Sequence, residues 1–260
     1  MTNAVLLGAG QGRRLAPLTD NRPKCLVEIA GRPLLEWQLM ALAEAGVEEA
    51  TIVTGFGAAA VETALAVIAP SIRVTCRHNP FFAVADNIGS CWVARDLFRD
   101  DTLLINGDTL FDPRIPARVL AEARAPVSVT IDAKDSYDVD DMKVQLDGDR
   151  LVHIGKKLEA PIHGESIGML RFQGEGGPRF AATLDATLRD PAALSRWYLS
   201  VIDALAGEGG VGTVSIKGLP WAEVDYPHDL AIAAASVAAF EWGDAVAGPE
   251  LAAAGRASSR

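Results

Sequence analysis

Ala4-Val5-Leu6-Leu7-Gly8-Ala9-Gly10-Gln11-Gly12-Arg13-Arg14-Leu15-Ala16-Pro17-Leu18-Thr19, followed by Pro23-Lys24-Cys25-Leu26-Val27, decides the fold. A short apolar run that stops at clustered glycines reads as a buried strand feeding a tight loop. Glycines there let backbone N–H groups approach phosphate oxygens with no Cβ in the way. Arg14 and Lys24 would then neutralise triphosphate charge, Arg14 as a planar fork and Lys24 as a point charge. A glycine turn flanked by solvated basic residues is the plain alternative, and the loop alone does not separate the two. Two better-known phosphate loops do not fit. A P-loop needs Lys-Ser or Lys-Thr after its last glycine, but Gly12 precedes Arg13-Arg14. A dinucleotide fingerprint needs a third glycine where Arg13 stands.

Outward from the loop, strand and helix patterns alternate. Residues 34–45 carry Leu34, Leu35, Leu39 and Leu42 at helical spacing, with Gly46 placed to end the helix. Strands are expected at 51–54 and 72–75, helices at 61–68 and 88–98. A buried strand at 102–105 stops at Asn106-Gly107-Asp108. Such alternation implies right-handed βαβ units. The fold class expected is α/β: a doubly wound, mostly parallel sheet with helices on both faces, plus a small β-rich insertion on the acceptor side. Ligands of such sheets bind beyond the carboxyl ends of strands, where both Gly8–Gly12 and Asp108 would lie. Further on, 127–131 reads as a strand, 143–154 as a hairpin turning at Asp147-Gly148-Asp149, and 167–172 as a strand. Gly174-Glu175-Gly176-Gly177 reads as a break. Helices at 180–188, 194–205 and 229–240 and strands at 211–216 and 221–224 complete the chain. One domain over 1–240 is expected, with an Ala/Gly/Ser-rich tail at 241–260.

Bulk composition bounds the partners. A net charge of −10 argues against a nucleic-acid footprint, which rewards clustered Lys and Arg, but leaves room for a single nucleotide. Three cysteines without a C-x-x-C read as reduced thiols, and neither a signal peptide nor a membrane span is visible. A cytoplasmic location is the resulting expectation, with a homodimer as the base-rate assembly.

Residues 7–37 resemble the signature of the nucleotidyltransferase superfamily of the sugar-phosphate and phosphocholine type. G-x-G-x-R, P-L-T, P-K and G-R-P-L-L-E-W all recur at the spacing of that family. The likeness extends more weakly to about residue 235. It implies that the loop bearing Leu7, Gly8, Ala9, Gly10 and Gly12 wraps an NTP, with Arg14 and Lys24 against its phosphates. Asp108, after Gly107, resembles the family's magnesium-binding aspartate. Glu223-Val224-Asp225-Tyr226-Pro227-His228-Asp229-Leu230 resembles the late segment that supplies the second, here Asp225. A carboxylate ending a buried strand needs a cationic partner, and Mg²⁺ is commonly held by one or two carboxylates plus phosphates. Asp229 reads instead as a first-turn helix acid.

Asp86-Asn87-Ile88-Gly89-Ser90 resembles the N-x-x-S of the phosphocholine cytidylyltransferase branch, placing Asn87 and Ser90 near the base. The Q-P-x-G-L-A and E-K-P stretches of the sugar branch are absent. CTP and a small phosphate- or phosphonate-bearing acceptor are therefore expected. The alternatives are a sugar 1-phosphate with UTP, dTTP or GTP, and a nucleotide-binding regulatory module without catalysis. Lys156, Glu165 and Trp197 are the acceptor-side candidates. Glu165 paired to a surface lysine and Trp197 and Tyr198 as core on a helix are the plain readings beside them. Trp92 and Trp221 are expected in the core and Lys157 in solvent; the run Asp138, Asp140, Asp141 reads as a solvated loop, with attraction of a cationic substrate as the alternative. His78, His153, His163 and His228 are given no role.

Overall fold

A computed structural model of the chain describes residues 2–99 and 101–243. The first strand, β1 (Asn3–Gly8), alternates between two cores: Val5 and Leu7 face one, Ala4 and Leu6 the other. Burial on both faces is what a strand between two helical layers requires. After two short 3₁₀ turns at Arg13–Leu15 and Lys24–Leu26 come β2 (Glu28–Ile29), β3 (Arg32–Pro33) and α1 (Leu34–Glu44). Gly46, at φ +83°, ends α1 as its position suggests. Then follow β4 (Glu49–Thr54), α2 (Ala58–Ile68), β5 (Arg73–His78), α3 (Asn87–Val93), β6 (Thr102–Asn106), β7 (Thr109–Phe111) and α4 (Arg114–Glu122). The later chain gives β8 (Val127–Asp132), β9 (Lys143–Asp147), β10 (Arg150–Gly155), β11 (Gly164–Phe172), α5 (Gly176–Thr187) and α6 (Leu199–Glu208). It closes with β12 (Val211–Ser215), β13 (Trp221–Glu223) and α7 (Asp229–Ala238).

Nine strands form one sheet in the order β5-β4-β1-β6-β11-β8-β12-β10-β9. Helices cover both faces. Ile88 of α3, Phe180 of α5 and Ile202 of α6 pack into one core; Leu39 of α1, Val61 of α2 and Ile115 of α4 pack into the other. The α/β architecture is as expected, but the sheet is mixed rather than mostly parallel. The run β5-β4-β1-β6 is parallel, and so is β8 with β12, whereas β11 runs antiparallel to both β6 and β8. The β9–β10 hairpin is the expected β-rich insertion, and it joins the main sheet through β11 and β12.

Local differences have local causes. The helix expected over 88–98 ends at Val93 and tightens into a 3₁₀ turn at Arg95–Leu97. The supposed break at Gly174–Gly177 includes the start of α5. A Cβ on Gly176 would sit 1.8 Å from Pro126 O and one on Gly177 2.3 Å from Phe98 O, so these glycines serve close packing. The helix expected over 194–205 is a 3₁₀ turn, Pro191–Ser195, and then α6, leaving Trp197 and Tyr198 in the junction. Described residues beyond 240 still pack: Trp242 lies 6.0 Å from Trp37, centroid to centroid. The rest of the expected tail, 244–260, lies outside the described residues. Among the described residues, no helix is long and apolar enough to cross a membrane.

Candidate active site

Strand order reverses on either side of β1, with β4 to one side and β6 to the other. Such a switch point opens a crevice at the strands' carboxyl ends. The glycine loop leaves β1 and Asn106-Gly107-Asp108 leaves β6 side by side, with Leu7 paired to Asn106. A cleft of about 460 Å³ opens there.

Gly12 adopts φ +74°, and a Cβ on it would fall 2.9 Å from Lys24 Cβ. The loop therefore folds flat against the Lys24 stem, and Thr19 Oγ1 donates to Gly12 O at 2.7 Å. Gly107 passes so close to β1 that a Cβ would lie 2.4 Å from Leu7 O. That approach delivers Asp108 to the crevice. The second acid arrives through β13, which pairs antiparallel with β7, Glu223 opposite Thr109. Val224 N donates to Asp108 O at 3.0 Å, so Asp225 emerges beside Asp108. Asp229 accepts from the backbone N–H groups of Asp225 and Tyr226 through Oδ2, at 2.8 and 2.7 Å, and fixes that turn.

Lys24 Nζ bridges the two acids, 2.8 Å from Asp108 Oδ2 and hydrogen-bonded to Asp225 Oδ1. Arg14 Nη2 holds Asp225 Oδ2 at 2.7 Å, and its Nη1 donates to Tyr226 OH at 3.3 Å. Burial disfavours the Lys24 ammonium, yet the carboxylates of Asp108 and Asp225 outweigh it and raise its pKa. Asp108, Glu223 and Asp225 place carboxylate oxygens within 4.8 Å of one another. Desolvation in the cleft, then the charges of Asp108 and Asp225, push the Glu223 carboxyl up to about 8. Asp108 Oδ1 is buried and has no hydrogen-bond partner among the described residues. A buried anionic oxygen left without a donor, inside a carboxylate trio, fits a hard divalent cation.

The remaining candidates reach the same cleft. Leu7, Gly8, Ala9, Gly10, Asn87, Ser90, Lys156, Glu165 and Trp197 all line it. Ser90 Oγ accepts from buried Asn79 Nδ2 at 3.0 Å, and Asn87 Oδ1 accepts from Tyr198 N at 2.9 Å. Trp197 is not core. It is 42% exposed, and Lys156 Nζ sits 4.6 Å from its ring centroid. Tyr198 is fully buried, as read. Glu165 does pair with a lysine, Lys134, at 2.6 Å, but it is itself buried and faces the cleft. Lys134 also holds Asp141 Oδ2 at 3.1 Å, so Asp141 is no solvated loop acid. Asp140 lines the cleft too, while Lys157 is exposed as read.

Two tryptophans are placed differently from expectation. Trp92 is half-buried, donating to Asp185 Oδ1 at 2.6 Å under the Arg95 guanidinium. Trp221 is half-buried, donates to Asp132 Oδ2 at 2.9 Å and lines the cleft. Glu223, Asn106 and Lys134 were given no part by sequence. Glu223 was legible, because period two along a strand puts it on the face of Asp225. Lys134 carries no sequence signal.

Comparison with known proteins places the chain among nucleotidyltransferases. CMP-5'-(3-aminopropyl)phosphonate synthase of Streptomyces rubellomurinus is 30% identical over 239 residues, 87% of this chain; the chain spans 37% of that relative's length. The 2-aminoethylphosphonate cytidylyltransferase of Lancefieldella rimae is 26% identical over 88% of this chain and 91% of its own. The solved CTP:phosphocholine cytidylyltransferase of Streptococcus pneumoniae shares the fold, with a TM-score of 0.74 at 18% identity over 90% of this chain and 98% of that one. The model of the MobA-like NTP transferase domain matches residues 4–219. The chain belongs to that family and is a nucleotidyltransferase with cytidylyltransferases among its homologues.

Proposed function

We propose that the protein transfers CMP from CTP to a small acceptor bearing a phosphonate or phosphate and an amine, releasing pyrophosphate. One observation carries the reading: Lys24 bridges Asp108 and Asp225 beneath the glycine loop, with the buried Oδ1 of Asp108 unpartnered among the described residues. An acceptor oxygen attacks the α-phosphorus, a P–O bond forms, and the bond to the β-phosphate breaks. The acceptor needs no general base, because its second pKa of ~6 leaves it dianionic near neutrality. Backbone N–H groups of Gly8 to Gly12 hold the triphosphate, and Arg14 and Lys24 balance the charge gathering on pyrophosphate. Asp108 and Asp225, with Glu223 beside them, would hold Mg²⁺, which when bound neutralises phosphate oxygens at the reacting centre.

The acceptor end favours a cation. Asp140, Asp141 and Glu165 gather there, and the Trp197 ring already carries the Lys156 ammonium on its face. The relatives named for aminoalkylphosphonates support an acceptor of that chemistry. Lys156 would leave the ring to meet the acceptor's phosphonate. A panel pairing CTP, UTP, GTP, ATP and dTTP with phosphocholine, 2-aminoethylphosphonate and sugar 1-phosphates tests this by pyrophosphate release. Turnover confined to a sugar 1-phosphate with UTP, dTTP or GTP would overturn the substrate; nucleotide binding without turnover anywhere would indicate a regulatory module.

Glu165 adds a pH signature. Burial pushes its carboxyl up, Lys134 pulls it back and Asp141 raises it again, to about 7. The side chain is neutral below that value and negative above it. The KM for an amine-bearing acceptor is therefore expected to fall severalfold as pH rises through about 7, and Glu165→Gln to flatten the profile. An identical pH profile in wild type and variant would remove Glu165 from ammonium recognition.

A further inference from the structure

Asn106 ends β6 between the nucleotide loop and the acceptor side: Leu7 of β1 is its partner on one flank, and Gly168 of β11 lies against it on the other. Its surroundings fix both ends of the amide. Buried Tyr198 donates its phenol to Asn106 Oδ1 at 3.2 Å, and burial raises the phenol's pKa well above its ordinary value, so it stays a donor. The buried Gln38 amide donates to the Asn106 carbonyl at 2.9 Å and to Thr109 O at 2.8 Å, clamping the backbone around Gly107 and Asp108. With Oδ1 turned to the phenol, Nδ2 faces Gly168. That glycine has φ +75° in mid-strand, where the β11–β8 register slips between Ser166 and Leu170. A Cβ on Gly168 would lie 2.4 Å from Nδ2, so only glycine leaves the donor uncovered. Nδ2 makes no hydrogen bond among the described residues, and both Asn106 and Gly168 line the cleft.

A bulged strand, a left-handed glycine and two buried side chains thus present one neutral N–H donor beside Asp108. We infer that Asn106 touches substrate, its Nδ2 donating to a phosphoryl oxygen of the acceptor, with Tyr198 and Gln38 as positioning residues. The inference rests on the proposed transfer. It assigns the acceptor, not the nucleotide, because Nδ2 faces Gly168, which shares its strand and the cleft lining with Ser166 and with Glu165, the proposed acceptor-binding carboxylate. A donor that holds the attacking phosphoryl group in line with the α-phosphorus acts by positioning, and a small misplacement there costs about 100-fold in rate.

The test is Asn106→Asp, which keeps the shape and still accepts from Tyr198 but puts a carboxylate oxygen where the donor stood. Acceptor kcat/KM is expected to fall about 100-fold or more, while CTP affinity without acceptor stays within about threefold. Tyr198→Phe frees the amide to turn and is expected to lower acceptor kcat/KM about tenfold with CTP affinity again unchanged. Wild-type efficiency in N106D, or CTP affinity falling as far as acceptor efficiency, would overturn the assignment. If N106D does not fold, Y198F decides: unchanged acceptor kcat/KM overturns it. Wild-type enzyme silent with every acceptor would overturn the transfer reading and this inference with it; turnover that is indifferent to both variants overturns this inference alone.

Discussion

Asp108→Ala is expected to lower kcat for CMP transfer by about 10²–10³ or more, the scale of losing a preorganised electrostatic group. Three facts concentrate the effect on this side chain. Its Oδ2 is one end of the Lys24 bridge, its Oδ1 is buried without a partner among the described residues, and it is one of three carboxylates within reach of a single cation. The backbone that carries it is pinned by Gly107 against Leu7 O and by Val224 N, so the alanine variant keeps its geometry and its melting temperature. Asp108→Asn separates charge from shape: it is expected to be nearly as inactive as alanine, because the amide removes the anion and brings a donor toward Lys24. Steady-state kinetics with CTP in saturating Mg²⁺ reads both variants. Full activity in Asp108→Ala would remove the carboxylate pair from the chemistry.

Lys24→Ala is expected to be as damaging by another route. The ammonium is a single point charge shared by two carboxylates, and its side chain is only 12% exposed. Removing it leaves Asp108 and Asp225 facing each other with Arg14 alone as counter-charge, and it deprives the departing pyrophosphate of a cation. A kcat/KM for CTP lower by about 10³ is expected, with KM as well as kcat affected. Lys24→Arg is expected to recover little. A planar fork does not replace a point charge between two acids when its stem must still pass within contact of Gly12. An arginine variant close to wild type would mean that Lys24 supplies only bulk positive charge.

Why these residues were legible is a matter of periodicity and punctuation. Ala4 to Leu7 followed by glycines announces a buried strand and a phosphate-approaching loop, and Asp108 closes the Asn106-Gly107-Asp108 stop after the apolar run Leu103-Leu104-Ile105. What escaped has physical reasons. All residues of β11 are buried, so its side-chain pattern does not distinguish antiparallel from parallel neighbours, and the mixed sheet follows from that one strand. The α4 helix begins within Pro113-Arg114-Ile115-Pro116, where prolines suggest a break although a first helical turn tolerates them. β7 is three residues long and exists because β13 pairs with it. Trp197 and Tyr198 look alike as neighbours on a presumed helix. The junction before α6 sends one into the cleft and the other into the core. The Lys134 contact with Glu165 and Asp141 joins residues 134, 141 and 165 across three segments, which no spacing encodes.

The most direct test of CMP transfer is to follow the phosphorus atoms. Wild-type protein is incubated with CTP, 2-aminoethylphosphonate and Mg²⁺, and the products are read by ³¹P NMR. The expected result is pyrophosphate together with an unsymmetrical anhydride, the phosphonate and the CMP phosphorus coupled to each other, and no anhydride when Mg²⁺ is chelated. Pyrophosphate accompanied by free CMP and unchanged phosphonate, or CTP left intact with this acceptor, would contradict transfer to an aminophosphonate at this site.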